Sequence, residues 1–179
     1  MCIRDRNETT KHLSKLGVNY YGFVHEINSN DKNINELVAK LNNNFGDIDI
    51  LVNNVGGSLG SSSLLDNDIE TYMNVFNINF WASVKLMKIY SEKMVTNGWG
   101  RIINIASIFG REYGGKSSSY MSSKASLIAA TKHLSIELAD KGVTVNSIAP
   151  GSIKHKGGSW EKFVNNSSSQ EVSLSLIHI

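Results

Sequence analysis

The stretch of this chain most suited to chemistry is SSSYMSSKAS, residues 117–126, where Tyr120 stands four positions before Lys124 among small residues. On a helix, positions i and i+4 share a face, with their Cβ atoms about 5–6 Å apart. An ammonium at that distance favours the phenolate over the neutral phenol. A phenol so placed is a useful general acid or base. Taken alone, the pair reads more simply as a half-buried aromatic beside a solvated lysine. The elements that position it must decide.

With 179 residues the chain has room for one domain, and 41% hydrophobic with 19% charged residues is the make-up of a globular protein with a real core. The formal charge of +2 is spread along the chain, which gives no footing for nucleic acid. No apolar run reaches the ~18 residues of a membrane span, and the start lacks the apolar stretch of a secretory signal, so a cytoplasmic location is expected. One cysteine excludes an internal disulfide framework and a cysteine-based zinc site. His25, His133 and His155 are scattered along the chain and fall in no recognisable metal-ligand motif, so no metal is expected.

Residues 7–16 predict a short helix stopped at Gly17. VNYYGFVHEI (18–27) is rich in β-branched and aromatic residues and predicts a strand. Asp31 is a candidate cap for a helix carrying Ile34, Leu37, Val38, Leu41 and Phe45 at 3.6-residue spacing up to Gly46. IDILVNNVGG (48–57) predicts a parallel strand buried on both faces. A long helix follows from Asp66 or Asp68 to Met94, then a buried strand at 101–107, a helix over roughly 118–141, and a strand at 143–151 ended by the only proline. Beyond it, SIKHKGGSWEKFVNNSSSQ shows no clear period and predicts a loose segment. Strands alternating with helices imply an α/β fold, a Rossmann-like doubly wound parallel sheet with helices on both faces. In such sheets ligands bind beyond the carboxyl ends of the strands. Asn53, Asn54, Ser107, Pro150 and Gly151 gather there.

These residues lie in motifs that give the chain a resemblance to the short-chain dehydrogenase/reductase family, from about Asn7 to Trp160. LVNNVGG (51–57) is similar to the family's Asn-Asn-Ala-Gly stretch, with Val55 replacing alanine. NINFWASV (77–84) puts Asn79 at the family's helix asparagine. GRIINIASIFG (100–110) puts Ser107 at the catalytic serine, thirteen residues before the Tyr120 of YMSSK, and VNSIAPG (145–151) matches the turn that passes the nicotinamide. The resemblance implies Asn79, Ser107, Tyr120 and Lys124 as catalytic residues. It implies Asn53, Val55, Gly56, Tyr120, Lys124, Pro150 and Gly151 as cofactor contacts, with Asn53 and Gly56 also open to a mainly structural role. Tyr120 would then exchange the proton and Ser107 would bond the substrate oxygen. Asn79 would hold a water that links Lys124 to solvent. NAD or NADP would carry the hydride. The expected substrate is a small carbonyl or secondary alcohol, with similarity in SIFGREYGG and PGSIKHKGGSW to 3-oxoacyl-carrier-protein reductases. Arg111, Tyr113 and Trp160 are candidate substrate liners. By the same resemblance, Phe80, Trp81 and Tyr90 are candidates for a subunit contact in a homodimer or homotetramer. The rival expectation is a non-catalytic dinucleotide-binding or sensor module of the same fold.

The chain departs from the family at its ends. The Thr-Gly-x-x-x-Gly-x-Gly phosphate loop and the last strand are missing, and with them the residues that select NAD or NADP. Glu26 falls where the family often has an aspartate near the adenine ring. One short DNA tag, ATGTGTATAAGAGACAG, encodes Met1 to Asp5, and its reverse complement encodes Leu174 to His178, in the manner of a sequencing adapter. The expected organisation is therefore a tag-derived tail at 1–6, a partial dinucleotide-binding domain at 7–151, a substrate-loop segment at 152–173 and a second tail at 174–179. Such a fragment, truncated at both ends, is expected to fold marginally, bind cofactor poorly and be inactive as written.

Overall fold

The computed structural model describes residues 3–114, 117–153 and 159–172. Its frame is a three-stranded parallel sheet of β1 (Ile50–Asn53), β2 (Gly100–Ile105) and β3 (Val143–Ile148), in that order. The register places Leu51 beside Ile102 and Asn53 beside Asn104, and on the other side of β2 it places Ile102 beside Val145. Successive side chains alternate between faces, so Gly100, Ile102 and Asn104 turn together into the core. Each strand stops where the chain becomes polar, glycine-containing or proline-bearing, so the carboxyl ends of all three lie side by side.

Helices α1 (Ile3–Lys15), α2 (Asp31–Phe45), α3 (Ile69–Phe76), α4 (Ala82–Thr96), α5 (Ser118–Glu137) and α6 (Ser159–Asn166) complete the described elements, with sheet and helices packed as an α/β fold. Ile34 and Leu37 of α2, Leu86, Met87, Tyr90 and Met94 of α4, and Leu127 of α5 bury against Ile102, Val143 and Val145. Between α3 and α4 the helix does not break; one π-helical turn spans Asn77–Trp81, where the Ala82 amide reaches back to the Asn77 carbonyl. A π turn adds one residue to the helical circuit and commonly marks a functional position. Here it contains Asn79.

Several expectations need correction. Residues 18–27 form no strand: a strand is defined by its ladder partner, and no strand adjoins this stretch among the described residues. The segment instead runs over α2, with Phe23 and Ile27 against the core and the Tyr21 ring tilted at 39° to that of Phe23, 5.2 Å between centroids. The helix after it is capped by Asn30, whose side chain accepts from the amides of Lys32 and Asn33, so Asp31 is its first residue and not its cap. β1 is shorter than 48–57 and open on one face, where Ile50 is 55% and Val52 52% exposed. α5 ends at Glu137, before the predicted 141, and α6 gives helical order to part of the segment expected to be loose. Tyr90 is buried in the chain's own core, which removes it from any subunit contact; Trp81 remains on the surface. The segment 174–179, His155 and the side chain of Trp160 lie outside the described residues.

Candidate active site

Ser107 stands two residues beyond the end of β2. Its extended backbone (φ −163°, ψ 152°) lets the side chain cap a short 3₁₀ turn, Ile108–Gly110, by accepting from the Phe109 amide at 3.2 Å. The hydroxyl hydrogen remains free to donate elsewhere. Two backbone bonds fix this exit against the end of β3: Ala106 N–H donates to Ile148 O at 2.7 Å and Ile108 N–H to Pro150 O at 2.9 Å. Pro150 thus serves the site through its carbonyl.

Tyr120 and Lys124 share one face of α5, as the i, i+4 spacing requires. The Lys124 side chain is 4% exposed. Its Nζ donates to Ile105 O at 2.8 Å, from the last residue of β2, and lies 5.7 Å from the centroid of the Tyr120 ring. Burial disfavours the ammonium and lowers the lysine pKa from 10.5 to about 8. The described contacts include no carboxylate for this cation. Its single backbone acceptor leaves two N–H donors for other acceptors.

Asn79 is fully buried in the π turn. Its amide makes a two-way clasp with Gly57: Gly57 N–H donates to Oδ1 and Nδ2 donates to Gly57 O, both at 2.9 Å. The clasp leaves no room at the preceding residue. A Cβ on Gly56 would stand 2.2 Å from Asn79 Oδ1 and 3.2 Å from Lys124 Nζ. Asn79, Lys124 and the 56–57 backbone therefore meet at one point, and a side chain at 56 would have to displace the Asn79 amide.

Asn53 points elsewhere. Its Nδ2 donates to Asn104 Oδ1 at 2.8 Å, and Asn104 Nδ2 in turn donates to Thr131 Oγ1 of α5 at 2.8 Å. This buried ladder ties β1, β2 and α5 together just below the site. Asn104 was not singled out from the sequence. Its signal was available: it is a polar residue on the face of β2 that alternation assigns to the core.

A cavity of about 740 Å³ opens over these strand ends. Ser107, Tyr120 and Gly151 line it, as do Gly57 and Ser58 from the loop after β1. Its apolar wall is Ile108, Phe109, Met121, Ile153 and Phe163. Sequence reasoning missed Phe109, Met121 and Phe163 and named Arg111 and Tyr113, which are not lining residues; Tyr113 is 93% exposed. Val55 and Glu26 are exposed at the surface and do not line the cavity. Among the described residues no group of three or more His, Cys, Asp or Glu could hold a metal ion, and no helix is long and apolar enough to cross a membrane.

A parallel α/β sheet with helices packed on it and a cavity at its carboxyl edge defines the class, a Rossmann-like fold. The family follows from comparison. A family model described as short chain dehydrogenase matches residues 2–162. The chain belongs to this short-chain dehydrogenase/reductase family of NAD(P)-dependent oxidoreductases. It is 46% identical over 85 residues to the 3-oxoacyl-[acyl-carrier-protein] reductase FabG of Rickettsia bellii, covering 48% of this chain and 35% of that protein. The structure of NAD+-bound xylitol dehydrogenase matches with a TM-score of 0.80 at 27% identity, over 92% of this chain and 62% of that one. ElxO with NADP bound matches with a TM-score of 0.77 at 29% identity, over 95% and 68%. The matched stretch spans about a third of the curated relative's length.

Proposed function

We propose that the protein interconverts a carbonyl and a secondary alcohol with NAD or NADP, Tyr120 acting as the general acid and base. The observation that carries this reading is that Ser107 and Tyr120 line one cavity while the Lys124 ammonium lies 5.7 Å from the phenol ring. In the reducing direction, Ser107 Oγ donates a hydrogen bond to the carbonyl oxygen, which polarises it and supports its developing negative charge. Tyr120 delivers the proton to that oxygen, and Lys124 stabilises the phenolate left behind. In the oxidising direction the phenolate takes the proton back.

The residues present fit a nicotinamide dinucleotide. Gly56 is exposed and brings its backbone, with no side chain, to the border of the Asn79 clasp, and the buried ammonium with two N–H donors to spare suits the hydroxyls of a ribose. Gly56, Lys124, Gly151 and the chain at Val55 and Pro150 would hold the cofactor. Asn53 would act indirectly, by fixing the end of β1. When bound, the cofactor supplies or accepts the hydride. Asn79 and Lys124 keep that side of the site in one geometry, so that reacting groups need not reorganise.

Similarity to the FabG of Rickettsia bellii supports a 3-oxoacyl thioester as the substrate. NAD(P)H oxidation by the complete gene product, with 3-oxoacyl thioesters and simple ketones, tests the reading. Tyr120→Phe is expected to lower kcat by about 10²-fold or more. Undiminished reduction by that variant refutes it.

A further inference from the structure

We propose that the cavity selects an uncharged, apolar substituent beside the reacting carbonyl, and that Phe109, seated by Gly114, together with Met121 sets its size. This goes further than the reading above and rests on it only for the position of the carbonyl.

Three chemical positions of the site each bring an apolar neighbour into the same cavity. Ser107 is followed two residues later by Phe109, Tyr120 directly by Met121, and Gly151 two residues later by Ile153. A carbonyl held by the Ser107 and Tyr120 hydroxyls therefore has apolar side chains within a few residues on three separate segments. The Phe109 ring has a defined seat. A Cβ on Gly114 would stand 2.3 Å from Phe109 Cε1 and 2.7 Å from Cδ1, so the ring occupies the volume that a side chain at 114 would need. The same turn is pinned by the Phe109 amide on Ser107 Oγ at 3.2 Å. One turn thus carries both the hydroxyl and the wall.

No residue among the described lining of the cavity carries a charged side chain. Lys124 is turned to Ile105 O and is not part of the wall. A carboxylate placed against the Phe109 and Met121 side chains would give up hydration to two apolar groups, which is costly. An alkyl group there gains from burial, about fourfold in affinity for each methylene removed from water.

The test needs no turnover. Methionine methyl groups are labelled with carbon-13 in the protein, and the Met121 resonance is assigned by its loss in Met121→Leu. The protein is titrated with pentan-2-one, heptan-2-one and 4-oxopentanoate. The expected result is a Met121 shift with affinity rising about 15-fold from pentan-2-one to heptan-2-one, two methylenes apart, and at least tenfold weaker binding of 4-oxopentanoate. Phe109→Leu is expected to weaken pentan-2-one more than heptan-2-one, and Gly114→Ala to weaken both by displacing the ring. Affinity independent of chain length, equal or tighter binding of 4-oxopentanoate, or an unmoved Met121 methyl overturns the proposal. The two readings fail separately. Tyr120→Phe is expected to keep the order of ketone affinities while weakening all of them alike, so a gene product that binds ketones in this order yet reduces none refutes only the activity. One that reduces carboxylated ketones in preference refutes only the selectivity.

Discussion

At the scale of single residues, Lys124 is the least comfortable group in the molecule. Its pKa of about 8, set against 10.5 in water, corresponds to about 3 kcal/mol of destabilised ammonium at neutral pH. Below pH 8 the lysine is protonated in both the folded and the unfolded chain, so that cost is constant. Between pH 8 and 10.5 the folded chain has released a proton that the unfolded chain still holds, and stability must rise with pH. Tyr90, whose phenol is raised by burial, works in the opposite sense, but only above its ordinary value of 10. The expected outcome is a stability gain from pH 7.5 to 9.5 that disappears in Lys124→Met, measured by urea unfolding of both proteins at each pH. Parallel pH curves for the two would contradict the assignment. Gly56 offers a second comparison. Gly56→Ala forces a Cβ against Asn79 Oδ1 and is expected to destabilise by about 1–3 kcal/mol. Gly57→Ala meets nothing within 4 Å and should stay within about 0.5 kcal/mol of the parent. Equal effects at the two positions would show that the Asn79 clasp yields freely.

At the scale of elements, what could be read in advance depended on whether the signal was local. The 3.6-residue repeat of Ile34, Leu37, Val38 and Leu41 reports the buried face of α2 without help from distant residues, and the predicted helix is there. The same holds for the long helix to Met94 and for the strands at β2 and β3. Residues 18–27 failed because β-branched and aromatic residues suit a pleated surface but cannot supply the neighbouring strand. α6 was missed because SWEKFVNN is barely two turns long, too short for a period to stand out. The π turn had no sequence signal at all; only the packing of Asn79 onto Gly57 reveals why the helix widens there. Ser107, Tyr120 and Lys124 were legible as motif positions, whereas Asn104 and Phe109 gain their roles only from the register and the turn that aim them. That turn makes its own prediction. A Cβ on Gly110 would stand 2.9 Å from Ala125 N and from Lys124 C, backbone atoms of α5 that cannot swing aside. Gly110→Ala must therefore push the Ile108–Gly110 turn off α5 and carry Ser107 with it. The complete gene product with this change is expected to lose kcat by at least tenfold while its circular dichroism is unchanged. Full activity would mean that the turn does not position the serine.

At the scale of the whole molecule, the sheet is asymmetric. α4 and α5 cover the face that carries Ile102, Val143 and Val145, and the core lies entirely on that side. On the opposite face Ile50 and Val52 are more than half exposed, and β1 is one of the two outer strands, so its outer backbone groups have no ladder partner among the described residues. An apolar face next to an unpaired parallel edge is the arrangement that natural sheets avoid by charge, proline or a covering element. β1 has none of these devices in Ile50-Leu51-Val52-Asn53. The 179-residue chain by itself is therefore expected to self-associate as its concentration rises, through β1 rather than through the well-packed α4 and α5 side. Val52 is the position to change, because its side chain points away from the core and a lysine there leaves the Leu51 and Asn53 contacts untouched. Sedimentation velocity over a hundredfold range of concentration is expected to show a rising sedimentation coefficient for the parent chain and a much flatter one for Val52→Lys. If both sediment alike at every concentration, the association surface lies elsewhere and the open face of β1 is tolerated by the isolated fold.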